Sequence, residues 1–184
     1  TLYVAEQAQV TATTVFLDLD LRPDQWRHPL AYGLFMRRLM PLCDVIIGTE
    51  EEFYSALAPD PRSVMNGQKL AVDQQTELDT LLEIWWRDHS KILMVKRGAQ
   101  GVQVFDRHET YMVSGFPVTV LNTVGAGDAF ASGLIYGYSH EWDWYKSARF
   151  ANACGAIVVT RHGCARAMPY LNEVEKFIEN NGGY

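Results

Sequence analysis

The chain has 184 residues, 48% of them hydrophobic, which is enough to bury one core, so we expect a single domain over residues 1–184. Its formal net charge of −6, without a cluster of Lys and Arg, argues against a nucleic acid as partner but is compatible with a small anionic ligand. No apolar run reaches the ~18 residues of a membrane span, and no charged-then-apolar leader is present, so we expect no membrane partner and a cytoplasmic location.

The first third of the sequence alternates between helical periods and short runs of β-branched residues. Residues 1–10 read as the end of a helix and lack an initiator Met, so the sequence is expected to begin inside a domain. A strand over residues 15–19, a helix over residues 29–40 and a second strand over residues 43–48 follow.

A third unit repeats this order. Asp73 is expected to cap a helix whose apolar face runs from Leu78 to Trp85, and residues 92–95 form the next strand. Residues 58–68, which contain Pro and Gly, are expected to form a surface loop. The alternation of strands and helices predicts an α/β fold with a parallel sheet covered by helices.

The second half begins with two short strands, residues 102–105 and 110–113, which predict an antiparallel hairpin at the edge of the sheet. Three helices are then expected: one to about residue 138, one from residue 143 or 144 to about residue 159, and one from residue 169 to about residue 179.

Residues 122–128 read Asn-Thr-Val-Gly-Ala-Gly-Asp and are followed at once by an apolar helical stretch. A helix that starts here aims the free N–H groups of Gly125, Ala126 and Gly127 at one point, where an anion can bind. Asp128, in the first turn, is placed to take the proton from an attacking hydroxyl. The pattern therefore indicates a phosphoryl-transfer site; the alternative is a glycine-bearing turn with Asp128 as an ordinary residue of a helix start.

This run resembles the second signature of the ribokinase-like (PfkB-type) carbohydrate kinases over all seven positions. Segments 48–51, 95–101 and 157–163 fall in the order of that family. The resemblance implies a ribokinase-like three-layer α/β/α fold with a mostly parallel sheet and an antiparallel edge hairpin, of which the N-terminal part and the lid are missing. It also implies that residues 1–184 are the nucleotide-binding C-terminal part of a single domain, with ATP and Mg²⁺ as cofactors and K⁺ as a further cation.

The sequence departs from the family at Gly48, where Asn is usual. Only Glu51 carries over from that motif, and the resemblance implies that it is linked to magnesium and to waters on the phosphates.

Within the family, residues 18–26, 48–53 and 96–98 are similar to kinases of a deoxy keto sugar acid from inositol breakdown. The expected partners are therefore a sugar acid and ATP. Ketodeoxygluconate kinases and fructokinases are the alternatives, and a module that senses nucleotides or sugar phosphates without turnover is an alternative of another class.

Arg22 follows the first strand, where a guanidinium can hold a carboxylate or a phosphate with two parallel hydrogen bonds. In the resembling acid-sugar kinases an Arg at this place faces the substrate or the transferring phosphate. Its alternative is a surface ion pair with a neighbouring Asp. Lys96, at a strand end, can meet the phosphates while Gly98 and Gly101 allow a tight turn beside the nucleotide; a solvated lysine is its alternative.

The resemblance assigns further residues to the nucleotide and to a cation. Asn152 matches a position that lines the adenine, although an Asn satisfied by neighbouring backbone fits equally well. Oxygens that ring a monovalent cation in relatives match Asn122, Val124, Val158, Arg161 and Gly163.

The cysteines Cys43, Cys154 and Cys164 are odd in number and widely spaced, so reduced thiols are expected rather than disulfides or metal ligands. The paired tryptophans at 85–86 and at 142 and 144 are expected in the core. Exposed pairs would instead indicate a subunit contact, as in a homodimer.

Overall fold

The structure is a computed structural model that describes residues 1–26, 28–65 and 69–184. The helices are α1 (Leu2–Val10), α2 (Pro29–Leu39), α3 (Glu50–Leu57), α4 (Arg62–Met65), α5 (Val72–His89), α6 (Ala126–Ser139), α7 (Trp144–Val159) and α8 (Leu171–Asn180). The strands are β1 (Phe16–Asp18), β2 (Val45–Thr49), β3 (Ile92–Lys96), β4 (Gly101–Phe105) and β5 (Thr110–Ser114). These elements match the predicted order of strands and helices.

Two local predictions need correction. Helix α5 begins one residue before Asp73, and its N-cap is Ala71, whose N–H donates to Gln74 Oε1 at 3.0 Å. Asp73 lies in the first turn, where its negative charge interacts favourably with the helix dipole, but its side chain does not cap the helix. The predicted loop over residues 58–68 contains the short helix α4, and residues 66–68 lie outside the described residues.

The five strands form a mixed sheet in the order β1-β2-β3-β4-β5. Strands β1, β2 and β3 are parallel, with Phe16 paired to Val45 and Val45 paired to Ile92. Strands β4 and β5 are neighbours joined by residues 106–109, and so short a connection permits only antiparallel pairing. The structure thus confirms the predicted α/β class, with the hairpin at one edge of the sheet.

The chain groups into two compact units. The first comprises residues 1–96 and 105–110, and the second comprises residues 97–104 and 111–184. The single domain predicted over residues 1–184 remains a prediction.

Each unit has its own apolar cluster. In the first, large side chains of α2, α3, α5 and the parallel strands are fully buried, among them Tyr32, Phe53, Leu78, Leu82 and Leu93. In the second, side chains from α6, α7 and α8 pack together, among them Ala129, Phe150, Val158, Val174 and Ile178. The buried face of α5 is the one that its helical period predicts. The face predicted for α2 is wrong in part, because Leu30 and Leu34 are exposed and Tyr32 and Met36 are buried instead.

Arg149 of α7 joins two distant segments of the second unit. Its guanidinium donates to the carbonyls of Ser114 at 2.9 Å and Gly115 at 3.4 Å, at the end of β5. It also donates to the carbonyls of Asn181 and Gly183, both at 3.2 Å, after α8. One side chain therefore fixes the end of the hairpin and the last turn of the chain.

The three cysteines are free thiols, as predicted, and burial raises the pKa of Cys43 to about 11 and that of Cys154 to about 12. Trp85 is buried, and Trp86, Trp142 and Trp144 are half-buried, so the tryptophans give no support to a subunit contact. Among the helices of the described residues, none is both long and apolar enough to cross a membrane.

Candidate active site

The run at residues 122–128 forms a tight loop that leads into α6. Asn122 Oδ1 accepts the Val124 N–H at 3.1 Å, an arrangement that asparagine favours in turns. Gly125 is the N-cap of α6, and Asp128 lies in the first turn with an exposed side chain. The loop therefore has the predicted form: a glycine-rich entry to a helix whose first turn carries a carboxylate.

Gly125 adopts a backbone conformation that other residues rarely take. Its φ of +86° is left-handed, and a Cβ there would lie only 2.9 Å from Cys164 Sγ. Both constraints require glycine, because a side chain would strain the backbone and collide with the loop after α7.

Most of the N–H groups at the start of α6 have no hydrogen-bond partner among the described residues. Ala126 is the exception, since its N–H donates to the Thr123 carbonyl at 3.2 Å, and the prediction of a free donor at Ala126 is wrong for this structure. Within the described part of the chain, the N–H groups of Gly125, Gly127 and Asp128 make no hydrogen bond. The first turn of a helix leaves such donors unpaired, so they can bind an anion.

The carboxylate of Asp128 is also unengaged. Ser132 donates its hydroxyl hydrogen to the main-chain carbonyl of Asp128 at 2.7 Å, which leaves the side chain free. No ion pair or hydrogen bond joins the carboxylate to any residue that the structure describes. An exposed carboxylate beside unpaired amides can accept a proton from a bound hydroxyl.

The segment before this loop contacts the end of α7. The Val159 carbonyl accepts hydrogen bonds from the N–H groups of Leu121 at 2.8 Å and Asn122 at 3.2 Å. Just after the helix, Arg161 donates its N–H to the Val158 carbonyl at 3.0 Å. The structure thus brings together two of the segments predicted to hold a monovalent cation. Coordination by Asn122, Val124, Val158, Arg161 and Gly163 remains a prediction.

The side chain of Arg161 is engaged in this region as well. Its guanidinium donates to the Ala167 carbonyl at 3.2 Å and to Glu173 Oε1 at 2.8 Å. The Tyr170 N–H and this guanidinium together lower the pKa of the Glu173 carboxyl. Arg161 therefore anchors the loop between α7 and α8, and only its carbonyl is left for the predicted cation site.

Asn152 has its amide group turned to the hairpin. Its Nδ2 donates to the carbonyls of Val113 at 3.0 Å and Ser114 at 3.2 Å. This is the alternative in which neighbouring backbone satisfies the Asn, and only Oδ1 is left for the predicted contact with adenine.

Gly98 and Gly101 form the predicted tight turn between β3 and β4. Both have positive φ, +57° and +102°, and Arg97 donates its N–H to the Gly101 carbonyl at 2.8 Å. A Cβ at Gly101 would clash with the backbone of Gly115, so the strand can pass β5 only with glycine here.

A second group of charged residues lies in the first unit, at the carboxyl ends of its parallel strands. Lys96 Nζ is 3.4 Å from Asp18 Oδ1 and 3.9 Å from Glu52 Oε2. The Lys96 side chain is only 17% exposed, so it is an ion-paired residue rather than the solvated lysine of the alternative. Its predicted contact with phosphate remains a prediction.

Arg22 pairs with Asp20, with 2.7 Å between Nη2 and Oδ1, and both side chains are more than half exposed. This is the surface ion pair that the sequence offers as the alternative to a substrate contact. Exposed pairs are weak, so the guanidinium can exchange Asp20 for a ligand carboxylate. Glu51 lies in the first turn of α3, and its carboxylate is joined to no residue of the described ranges.

Two residues of this region were missed by the sequence analysis. Glu52 closes a capping box with Thr49 and also accepts the Leu21 N–H at 3.2 Å. Tyr32 is fully buried and donates its hydroxyl hydrogen to the Leu19 carbonyl at 3.1 Å. The Thr49 and Glu52 spacing is a readable capping signal, but the contacts with residues 19–21 bridge distant parts of the sequence.

Among the described residues, no three His, Cys, Asp or Glu side chains are grouped to hold a metal ion. A magnesium ion that arrives on nucleotide phosphates needs only one or two protein carboxylates, so this finding is compatible with such an ion.

Comparisons with known proteins show the family of the chain. The model of the pfkB family carbohydrate kinases matches residues 2–171. A 5-dehydro-2-deoxygluconokinase of Geobacillus thermodenitrificans is 34% identical over 176 residues, which are 95% of this chain and 49% of that protein. The chain thus spans about half the length of the curated relatives it matches.

Solved structures give the same result for the fold. A fructokinase double mutant from Vibrio cholerae O395, with fructose, ADP and potassium ion bound, aligns with a TM-score of 0.74 and 26% identity, covering 95% of this chain and 53% of that one. Ribokinase from Thermotoga maritima aligns with a TM-score of 0.72 and 23% identity, covering 96% of this chain and 52% of that one. The chain therefore belongs to the pfkB family of carbohydrate kinases.

Proposed function

We propose that the protein containing this chain is an ATP-dependent kinase that phosphorylates the terminal hydroxyl of 5-dehydro-2-deoxygluconate. The observation that carries the proposal is the start of α6, where the N–H groups of Gly125 and Gly127 and the exposed carboxylate of Asp128 have no partner among the described residues. An anion cradle alone suits any phosphate ligand, whereas a free carboxylate beside it suits the transfer of a phosphoryl group to a hydroxyl.

In the proposed reaction, Asp128 accepts the proton of the sugar hydroxyl as the hydroxyl oxygen attacks the γ-phosphorus of ATP. The bond from that phosphorus to the oxygen bridging the β- and γ-phosphates breaks, and ADP leaves. The amides of Gly125 and Gly127 stabilise negative charge that develops on the phosphates. Ala126 contributes only if its N–H leaves the Thr123 carbonyl on binding.

The identity of the sugar rests on the relatives named 5-dehydro-2-deoxygluconokinase and on Arg22. Among the residues that the structure describes, the Arg22 guanidinium is held by the exposed Asp20 alone, so it can form two parallel hydrogen bonds with a sugar carboxylate. A 2-keto-3-deoxygluconate kinase would keep this contact, whereas a fructokinase has no use for it because fructose has no carboxylate.

The remaining assignments concern the nucleotide and its cations. We propose that Lys96 meets the phosphates, that Gly98 and Gly101 form the turn beside the nucleotide, and that Asn152 Oδ1 contacts adenine. Magnesium, when bound, neutralises phosphate charge, and Glu51 is the carboxylate that can hold its waters. The carbonyls near the end of α7 would hold K⁺, and the solved fructokinase to which this chain is similar has a potassium ion bound.

A substrate panel on the full-length protein tests the proposal. ATP-dependent phosphorylation of 5-dehydro-2-deoxygluconate, 2-keto-3-deoxygluconate and fructose is measured by ADP release, and preference for the first is expected. Preference for fructose would identify a fructokinase. ADP binding by calorimetry without phosphorylation of any sugar would overturn the kinase proposal and indicate a sensing module.

A further inference from the structure

Residues 19–22, which lead from β1 to Arg22, are fixed at their first residue by two hydrogen bonds. Leu19 donates its N–H to the Ile47 carbonyl at 2.9 Å, and its own carbonyl accepts the hydroxyl hydrogen of Tyr32 at 3.1 Å. The hydroxyl of Tyr32 is buried, and burial together with nearby carboxylates raises the tyrosine pKa, so the hydroxyl stays a donor throughout the physiological pH range.

Glu52 fixes the same segment two residues later. Its Oε1 accepts the Leu21 N–H at 3.2 Å, and its Oε2 accepts the Thr49 N–H at 2.6 Å. Lys96 Nζ lies 3.9 Å from Glu52 Oε2 and 3.4 Å from Asp18 Oδ1. One ammonium group is therefore shared by the carboxylate that precedes the segment and the carboxylate that binds Leu21. Only 14% of the Glu52 side chain is exposed, and so little contact with water strengthens these interactions.

Within residues 1–26, 28–65 and 69–184, the Arg22 side chain has no buried contact comparable to these. Its ion pair with Asp20 is exposed on both sides, and exposed pairs hold a side chain weakly. The direction in which Arg22 leaves the backbone is therefore set by the anchors at Leu19 and Leu21.

We infer that Tyr32 and Glu52 are positioning residues for substrate recognition: they hold residues 19–22 so that Arg22 meets the carboxylate of the sugar. The inference rests on the proposed function and extends it to two residues that do not touch the substrate. A positioning role of this kind acts on the binding of the acid sugar and leaves the binding of ATP unchanged.

The first test compares two tyrosines of the same unit. Tyr32→Phe removes the bond to Leu19, and the matched control Tyr54→Phe removes a bond from another buried tyrosine, whose hydroxyl donates to Glu77 Oε2 at 2.8 Å. Tyr32→Phe should raise the KM for the acid sugar about threefold to tenfold, the range of one hydrogen bond, with the KM for ATP unchanged. Equal effects of both variants on both KM values would show a general loss of stability and overturn the inference.

A second test asks whether Tyr32 acts through Arg22. In an Arg22→Lys background, Tyr32→Phe should raise the KM for the acid sugar less than about twofold further, because residues acting through one group are not additive. The same factor in both backgrounds would overturn the inference. Glu52→Gln should show the same lack of additivity in the KM for the acid sugar, with its stability followed by thermal unfolding. The KM for ATP is a readout for Tyr32→Phe alone, because Glu52 also lies 3.9 Å from Lys96, the proposed phosphate contact.

A third readout needs no activity. Amide hydrogen exchange at residues 19–22 of the full-length protein should rise about threefold to tenfold in Tyr32→Phe and remain unchanged in Tyr54→Phe, since one hydrogen bond is lost near the segment. Unchanged exchange in Tyr32→Phe would overturn the anchoring itself. If the unaltered protein phosphorylates no sugar acid, the proposed function fails, while the exchange result still decides whether the segment is anchored.

Discussion

The thiol of Cys164 fills the space beside Gly125 that any larger residue would need, with 2.9 Å between its sulfur and the position of a Cβ. The loop after α7 therefore sets the shape of the anion cradle at the start of α6. Cys164 is remote in sequence from residues 122–128, yet it helps to determine which backbone conformation that loop can adopt.

Gly125→Ala should destabilise the protein and weaken nucleotide binding. The alanine would be held at a φ of +86°, which costs about 1–3 kcal/mol, and would also press on Cys164. Thermal unfolding and calorimetry with ADP measure the two effects. Gly182→Ala is the matched control, because its φ is also positive, at +99°, but open space surrounds it. ADP affinity that is the same in both variants would contradict the role of the loop.

Asp128→Asn should lower kcat at least about a hundredfold, the usual contribution of a general base, because an amide cannot take the hydroxyl proton. ADP affinity should stay nearly unchanged, since the backbone amides remain in place. ADP-release kinetics and calorimetry on the full-length variant check both expectations. Near-normal turnover would remove Asp128 from the mechanism.

Arg22→Lys should raise the KM for the acid sugar by about tenfold or more, because a point charge replaces two parallel hydrogen bonds to a carboxylate. The KM for ATP should change little. Initial rates at varied sugar and at varied ATP separate the two constants. An equal rise in both would leave Arg22 as an ordinary surface residue.

The three thiols should differ in reactivity. Burial raises the pKa of Cys43 to about 11 and that of Cys154 to about 12, so both carry little thiolate at pH 8, whereas Cys164 is half-buried. A thiol-specific disulfide reagent should modify Cys164 first in the folded protein. Peptide mapping after brief labelling identifies the site, and ADP should slow the reaction if Cys164 lies beside the bound phosphates. Early modification of Cys43 would contradict the burial seen here.

Local patterns were sufficient to predict the sheet and the site loop. The apolar runs over residues 15–19 and 92–95 predicted two strands, and both form, as β1 and β3. The exposed position of Asp128 on the first turn of a helix also followed from the sequence, because glycine and a following apolar stretch mark a helix start.

Contacts between distant residues could not be read in this way. Asn152 was offered as a contact to adenine, yet its amide bonds to strand residues 38 and 39 positions away. The hydrogen bond from the Ala126 N–H to the Thr123 carbonyl is local, but it depends on the exact path of the loop, which the residue types do not specify. Tyr32 and Glu52 gave no signal of a joint role, since their common target is the backbone of residues 19–21.

The guanidinium of Arg149 has a practical consequence for handling the protein. It is shared by carbonyls of Ser114, Gly115, Asn181 and Gly183, so a change at this one position would release two turns together. Handling that leaves Arg149 chemically unaltered therefore keeps both turns in place.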